Sequence, residues 1–429
     1  MSETAEQIEK THFFSLRNIV RFGFLLLIFS LAFLTPAIYI QNQKAAITDF
    51  IFAAVFILWV AGILLGQFKF RFHRFYWLLI FYLAAMTLSV IFSPDLFKSG
   101  VKLLSQFYLI GLAVLTFNLT DGERELRKVI AVWLAGTFLT VLAGIVTILL
   151  FYVQPQNDLL NYTTSIYGAV PVGNYPRVKS TFVSASMFCN YLTVSLVMLF
   201  VAERVNLIGK KIFFAFSTLI LLCVIFTISS GIGAVFLLIG IWFWLVFKES
   251  KKVLATAVLS STILFALAFC VMNFIALQPY PSAPYSISIP FVQYTLYPSP
   301  RVLVWTDALK TFKENFFVGR GLGLPSCEVL FQNSDGKNSF LTDAHNTFIN
   351  VAAQNGIFGL LSILAITLYF LFKTFPLKKL NAFVSTAFVG FLLAFFSAFI
   401  FQGFTGSFED ARHLWCLIGL ILAVNYIEK

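Results

Sequence analysis

Residues 342–360 read "TDAHNTFINVAAQNGIFGL", and from Ala344 to residue 372 the chain holds no Asp, Glu, Lys or Arg. An uncharged, mostly apolar run of that length exceeds the roughly 20 residues needed to cross the hydrocarbon of a bilayer. Such a segment has to be helical, because lipid offers no partners for backbone N–H and C=O groups. The stretch therefore predicts a membrane-spanning helix, and it sets one of only four histidines, His345, at the head of that helix. Thr342 or Asp343 is the expected cap, with the helix beginning near Ala344 and His345 in its first turn.

The rest of the chain follows the same pattern. Of 429 residues, 59% are apolar, 53 are Phe and 11% are charged, so the apolar surface is far too large for a water-soluble core. Runs near bilayer length fall at about residues 19–40, 46–66, 75–92, 101–117, 129–153, 186–202, 211–228, 230–247, 253–274, 346–372, 381–401 and 413–427. The expectation is an all-α, polytopic membrane protein of about 12 spans, forming one domain over residues 1–429. Within 211–247 only "SSG" (Ser229, Ser230, Gly231) divides the two runs.

Basic residues orient the bundle. With the amino terminus in the cytoplasm, every inner loop holds three Lys or Arg, and the inner segments carry 19 of the 30 basic residues with nine of the 19 acidic ones. Both termini then lie inside. The net charge of +11 reports this topology and contact with anionic lipid; nucleic acid is not an expected partner. "MSETAEQIEK" is polar and acidic, and no small-residue cleavage site follows the first apolar run, which predicts an uncleaved first span. Five cysteines, four of them in the apolar runs, form neither a disulfide framework nor a thiolate metal site.

Two outer segments are long, residues 154–185 and 275–345, and ordinary connections are much shorter. The second contains "QPYPSAPYSISIPFVQYTLYPSP", whose tyrosines suit either a headgroup belt or contact with sugar faces. It continues into "SPRVLVWTDALKTFKENFFVGRGLG", where Ser299 and Pro300 signal a helix start. Val304, Trp305, Ala308, Leu309 and Phe312 recur at helical spacing, predicting a short amphipathic helix over 300–313. Arg301 falls in its first turn, where the helix dipole disfavours a cation and a compensating anion is expected. At the other helix head, the dipole would lower the pKa of His345 and free N–H groups would attract phosphate oxygens. "YPRVKSTFVSASMFCNYL" brings Arg177 and Lys179 to the head of another span, followed by small residues that permit close backbone approach. Each feature alone also fits the blander reading of membrane anchoring or helix capping. His413, the other outer histidine, has no ligand-spaced carboxylate partner, so no metal site is expected.

Taken in order, these stretches resemble the O-antigen ligase and O-antigen polymerase superfamily of bacterial membrane glycosyltransferases. Arg177, Thr181, Phe182, Tyr191 and Leu192 are similar to its Arg-x-x-Gly/Ser-Thr-Phe element. Arg301, Trp305, Gly319, Gly321 and Gly323 resemble its Arg-x-x-x-Trp helix and glycine-rich turn, while His345, Asn346, Gly356 and Gly359 resemble its His-Asn signature. The order and spacing agree over roughly residues 20 to 427. Two departures stand out: "SSGIGAVF" lacks the arginine that relatives carry near residue 231, and Gln354 and Asn355 stand where a Glu is common. Arg320 occupies a variable position.

The resemblance implies transfer of a glycan from undecaprenyl diphosphate at the periplasmic face of the inner membrane. His345 would be the general base, with Arg177 and Arg301 stabilising the departing diphosphate and Lys179 and Asn346 contributing to substrate binding. It implies inversion at the anomeric carbon with no metal or other cofactor. The acceptor is lipid A core in a ligase and a second lipid-linked repeat unit in a polymerase. A flippase or transporter is the competing class, although carriers place ionisable groups near the midplane and these spans are almost free of them.

Overall fold

A computed structural model describes residues 15–40, 43–169, 172–246, 263, 266–267, 275–279, 287–289, 294–298, 300–332, 338–372 and 382–427. The chain opens with α1 (Leu16–Ser30), a hairpin of β1 (Ala37–Ile40) and β2 (Gln43–Ala46), then α2 (Ile47–Leu64), α3 (Tyr76–Ile91), α4 (Leu96–Leu119) and α5 (Glu123–Val153). A short α6 (Leu159–Thr163) leads into the hairpin of β3 (Thr164–Ala169) and β4 (Val172–Val178), followed by α7 (Ala185–Arg204), α8 (Lys210–Phe226) and α9 (Gly231–Val246). Next come β5 (Ile275–Pro279), β6 (Ile287–Ile289) and β7 (Tyr294–Pro298), an antiparallel sheet of order β5-β7-β6, and then α10 (Pro300–Glu314). The hairpin of β8 (Val329–Gln332) and β9 (Asn338–Leu341) precedes α11 (Thr347–Phe372); α12 (Ala382–Phe395) runs on through a π turn and a 3-10 turn to Phe404, and α13 (Arg412–Val424) closes the fold.

Six of these helices are long and apolar enough to span a membrane: Ile47–Leu64, Leu96–Leu119, Glu123–Val153, Ala185–Arg204, Thr347–Phe372 and Ala382–Phe404. Tyr76–Ile91, Gly231–Phe243 and Arg412–Val424 are apolar but shorter. Eleven of the apolar runs read from the sequence coincide with a helix; the run at 253–274 lies outside the described residues apart from three isolated positions. The first run is helical only as far as Ser30. Pro36 cannot continue a helix, and residues 37–40 pair as β1 instead. "SSG" does separate two helices, with Ile228 taking the left-handed turn at φ +43°.

The core is helix on helix. Nearly all of α7 and α13 is buried, whereas α2, α3 and α5 present large apolar side chains such as Ile57, Trp77 and Leu149 outward. That distribution suits a lipid surround, where polar groups work best between helices. Inside, Trp133 Nε1 donates to Ser195 Oγ at 2.9 Å, and the Trp133 ring stacks on Tyr191.

The two ends of the bundle differ in chemistry. At one end Arg21 pairs with Asp121 and Arg127 with Glu123, each at 2.7 Å, and Lys128 pairs with Glu125 at 3.0 Å. These belong to the segments read as inner from their charge. The opposite end carries the hairpins, α10 and the heads of α7 and α11, and is called here the hairpin end.

A backbone junction fixes α10 against α11. The α11 helix breaks at Gly356, whose φ is +66°, freeing carbonyls that the glycine-rich turn then takes up. Arg320 N donates to Ala353 O at 2.9 Å, Gly321 N to Gln354 O at 3.0 Å, and Ile357 N to Phe316 O at 2.8 Å. A Cβ on Gly319 would lie 2.2 Å from the Gln354 carbonyl, and one on Gly356 would lie 2.3 Å from Phe317 O. Gln354, one of the two departures from the family pattern, clamps this turn: its Oε1 accepts from Gly323 N and its Nε2 donates to Leu324 O.

Candidate active site

At the hairpin end, β4 delivers Arg177. Its Nε donates to Thr227 O and its Nη2 to Ser186 Oγ, both at 3.1 Å, tying the hairpin to the head of α7 and to the turn between α8 and α9. The residues that follow form a plug. Ser180 Oγ donates to Thr140 O at 2.7 Å, Thr181 Oγ1 donates to Ala32 O at 2.6 Å, and Phe182 is fully buried against Phe188 and Tyr191. The small residues thus do more than allow close approach, since their hydroxyls also donate to the carbonyls of Thr140, inside α5, and of Ala32, just past α1.

Arg301 and Trp305 are four residues apart and so share one face of α10. Arg301 Nη1 donates to Thr405 O at 2.6 Å, and Trp305 Nε1 donates to Ala344 O at 2.8 Å. Val304 and Ala308 pack fully buried with Cys327, Ala344 and Ala353. Leu309, expected on this inner face, is 44% exposed instead. Ser299, expected to start the helix, lies outside the described residues.

The head of α11 departs from the expectation. Neither Thr342 nor Asp343 caps it; the cap is Asn346, whose Oδ1 accepts from Phe348 N and Ile349 N, both at 3.1 Å. His345 therefore precedes the helix, in a left-handed conformation with φ +49°. The N–H groups expected to attract phosphate are occupied, because Thr347 N also donates to Gly406 O at 3.1 Å. Asn346 Nδ2 donates to Phe404 O at 3.3 Å, so both ends of that carboxamide are engaged within the protein.

The His345 pKa is lowered, as expected, but for another reason. Desolvation by surrounding atoms is the leading cause, although 48% of the side-chain surface remains open; Asp343 opposes it, and the guanidinium groups of Arg301 and Arg177 reinforce it. The open surface and the desolvation are compatible, since a ring can be crowded on one face and accessible on the other. Two arginines up to 168 positions away in the chain therefore act electrostatically on His345. Lys179 is directed elsewhere: its Nζ reaches Asn161 O at 3.5 Å.

Three other positions noted in the sequence stand apart from this group. His413 is 1% exposed, with Nε2 at 2.6 Å from Asn190 Oδ1, while Asn190 Nδ2 binds Ala398 O in the π turn and Gln402 Oε1. Gly231, near which the resemblance led to an expected arginine, is closely packed: a Cβ there would lie 2.9 Å from Gln402 Oε1 and 3.0 Å from Cys189 Sγ. Arg320 forms a surface ion pair with Glu328 at 2.7 Å.

Sequence reading passed over the segment "SFEDAR", residues 407–412. Asp410 accepts from Lys102 Nζ and, at 2.6 Å, from Gln106 Nε2, both on α4. Arg412 forks onto Asp49 with two contacts of 2.7 Å. Glu409 is 7% exposed and bonds Asn350 Nδ2; burial, with Asp410 and Asp343 nearby, pushes its carboxyl up to about 8. The signal was present, since two adjacent acids and an arginine in a short connection between apolar runs need a local reason.

The fold and this cluster define an integral membrane protein whose candidate site residues lie at one end of the bundle. Residues 212–364 match the family described as O-antigen ligase, Wzy_C. Residues 212–364 thus carry an O-antigen ligase domain, and that family implies a membrane glycosyltransferase of the ligase and polymerase type. The matched stretch includes Arg301, the glycine-rich turn, His345 and Asn346, and Arg177 precedes it. No curated protein matches the sequence.

Proposed function

We propose that the protein transfers a glycan en bloc from undecaprenyl diphosphate to a hydroxyl of lipid A core, on the periplasmic face of the bacterial inner membrane. In this reading the whole chain is one domain of 12 spans, and the hairpin end faces the periplasm. The observation that supports it is that Arg301 and Asn346, the neighbour of His345, bond adjacent carbonyls, Thr405 O and Phe404 O, with both Arg301 and Arg177 bearing electrostatically on the histidine. Neutral His345 takes the proton of the acceptor hydroxyl as its oxygen attacks the anomeric carbon from the side opposite the diphosphate. The bond from that carbon to the phosphate oxygen breaks, and the electron pair leaves on the diphosphate, where Arg177 and Arg301 stabilise it. Lys179, at the mouth of the β3–β4 hairpin, meets the glycan or headgroup, and Asn346 shapes the binding site by holding the helix end that follows His345.

Fixed guanidinium groups take the place a divalent ion would occupy, so transfer proceeds in the presence of a chelator. A polymerase would use the same leaving-group chemistry with a second lipid-linked unit as acceptor. Incubating the purified protein with a lipid-linked oligosaccharide, offering lipid A core or a second lipid-linked unit, and weighing the product by mass spectrometry separates the two. Ligation to lipid A core is expected. Products lengthened only on the lipid diphosphate would make the protein a polymerase, and movement of donor across vesicles without transfer would make it a carrier.

A further inference from the structure

We propose that Asp343 is a positioning residue for His345, its Oδ1 holding both the backbone and the Nδ1 edge of the histidine so that Nε2 is left to accept the proton. The inference rests on the reading of His345 as general base. Its geometric basis is a single oxygen atom. Asp343 Oδ1 accepts from His345 N at 2.6 Å and from Ser407 Oγ at 2.6 Å, and it stands 3.3 Å from His345 Nδ1. The first contact is an Asx turn, in which a carboxylate bonds the N–H two residues on and so holds the backbone that leads into His345. His345 itself has φ +49°. The second contact comes from the 405–411 connection and fixes the carboxylate itself.

The consequence is a choice of tautomer. A carboxylate beside Nδ1 favours the proton on that nitrogen, so the free lone pair lies on Nε2, at the far side of the ring from Asp343. During transfer the acceptor proton moves to Nε2, and the resulting imidazolium is stabilised by the same carboxylate. Arg301 from α10 and Arg177 from β4 act in the opposite sense, disfavouring that cation. The histidine is thereby kept neutral before the reaction, with one negative group placed to balance it during the reaction.

Two substitutions separate the backbone role from the charge role. Asp343→Asn keeps an oxygen that can accept from His345 N and Ser407 Oγ but removes the carboxylate charge; Asp343→Ala removes both. In purified protein with a lipid-linked donor, Asp343→Asn should lose on the order of 10²-fold in kcat, within the range that a general base contributes. The acidic limb of its kcat/KM profile should move to lower pH, because the one group that raises the His345 pKa is gone. Asp343→Ala should lose more, with a lower melting temperature as well. Unchanged kcat in Asp343→Asn, or a reduced kcat with the acidic limb unmoved, would overturn the assignment. His345→Ala run alongside distinguishes the two levels: if it is inactive while Asp343→Asn behaves as wild type, only the positioning role fails. If His345→Ala is active, the base reading fails and the positioning role with it.

Discussion

At the scale of single residues, the site depends on what each charge is anchored to. Arg301 spends one N–H on Thr405 O and carries its guanidinium on the first turn of α10, so its direction is fixed before any substrate arrives. Lysine retains the charge but not the planar fork. Arg301→Lys should therefore lower kcat by roughly 10² to 10³ with little change in thermal stability, measured as turnover of the lipid-linked donor. Glu409 gives a second test, in stability. Its carboxyl titrates at about 8 in the folded protein against 4.5 when exposed, so between those values the folded state holds a proton the unfolded state has released. Stability then falls as pH rises through that window. Glu409→Gln removes the dependence and should melt a few degrees higher than wild type at pH 8, with the difference closing toward pH 5. Equal melting temperatures at both pH values would contradict the assignment of a protonated Glu409.

At the scale of elements, the junction between the glycine-rich turn and the broken α11 is the most specific feature. Gly319 and Gly356 both have positive φ and both face backbone at a distance no side chain tolerates. Gly319→Ala and Gly356→Ala should each cost more than about 1 kcal/mol from conformation alone, with a further loss as α10 is pushed off α11. A thermal-unfolding series in detergent would show it, and transfer activity should fall as Arg301 and Trp305 shift. This is also where sequence and structure part. Hydropathy made the helices legible, because an uncharged run of bilayer length has one stable solution. The hairpins at 37–46 and 164–178 were hidden, the first because its strand continues an apolar run. The head of α11 was misplaced by several residues, since Thr342, Asp343 and Asn346 are all competent caps. Which of them bonds which N–H depends on Gly406 and Phe404, distant in sequence.

At the scale of the molecule, Arg177, Arg301 and His345 were legible as candidates through an ordered resemblance, whereas Asp343, Glu409 and Asp410 depend on contacts that only the folded chain creates. Charge asymmetry makes a further prediction about orientation. Gln156, exposed near the hairpin end, and Lys211, exposed near the basic end, should be on opposite sides of the membrane. The described cysteines are buried, so a single Cys at either position should be the main target of a membrane-impermeant thiol reagent. Gln156→Cys should label in intact cells whose outer membrane admits the reagent, and Lys211→Cys only after the inner membrane is opened. The reverse pattern would place the site in the cytoplasm and end the proposal of periplasmic transfer.

The most direct measurement is single-turnover glycan transfer by purified wild-type protein and His345→Ala, with donor binding recorded in parallel. Loss of transfer with donor affinity within a few-fold of wild type is the predicted result, because the base acts on the acceptor and the arginines hold the diphosphate. Full transfer by His345→Ala would contradict it.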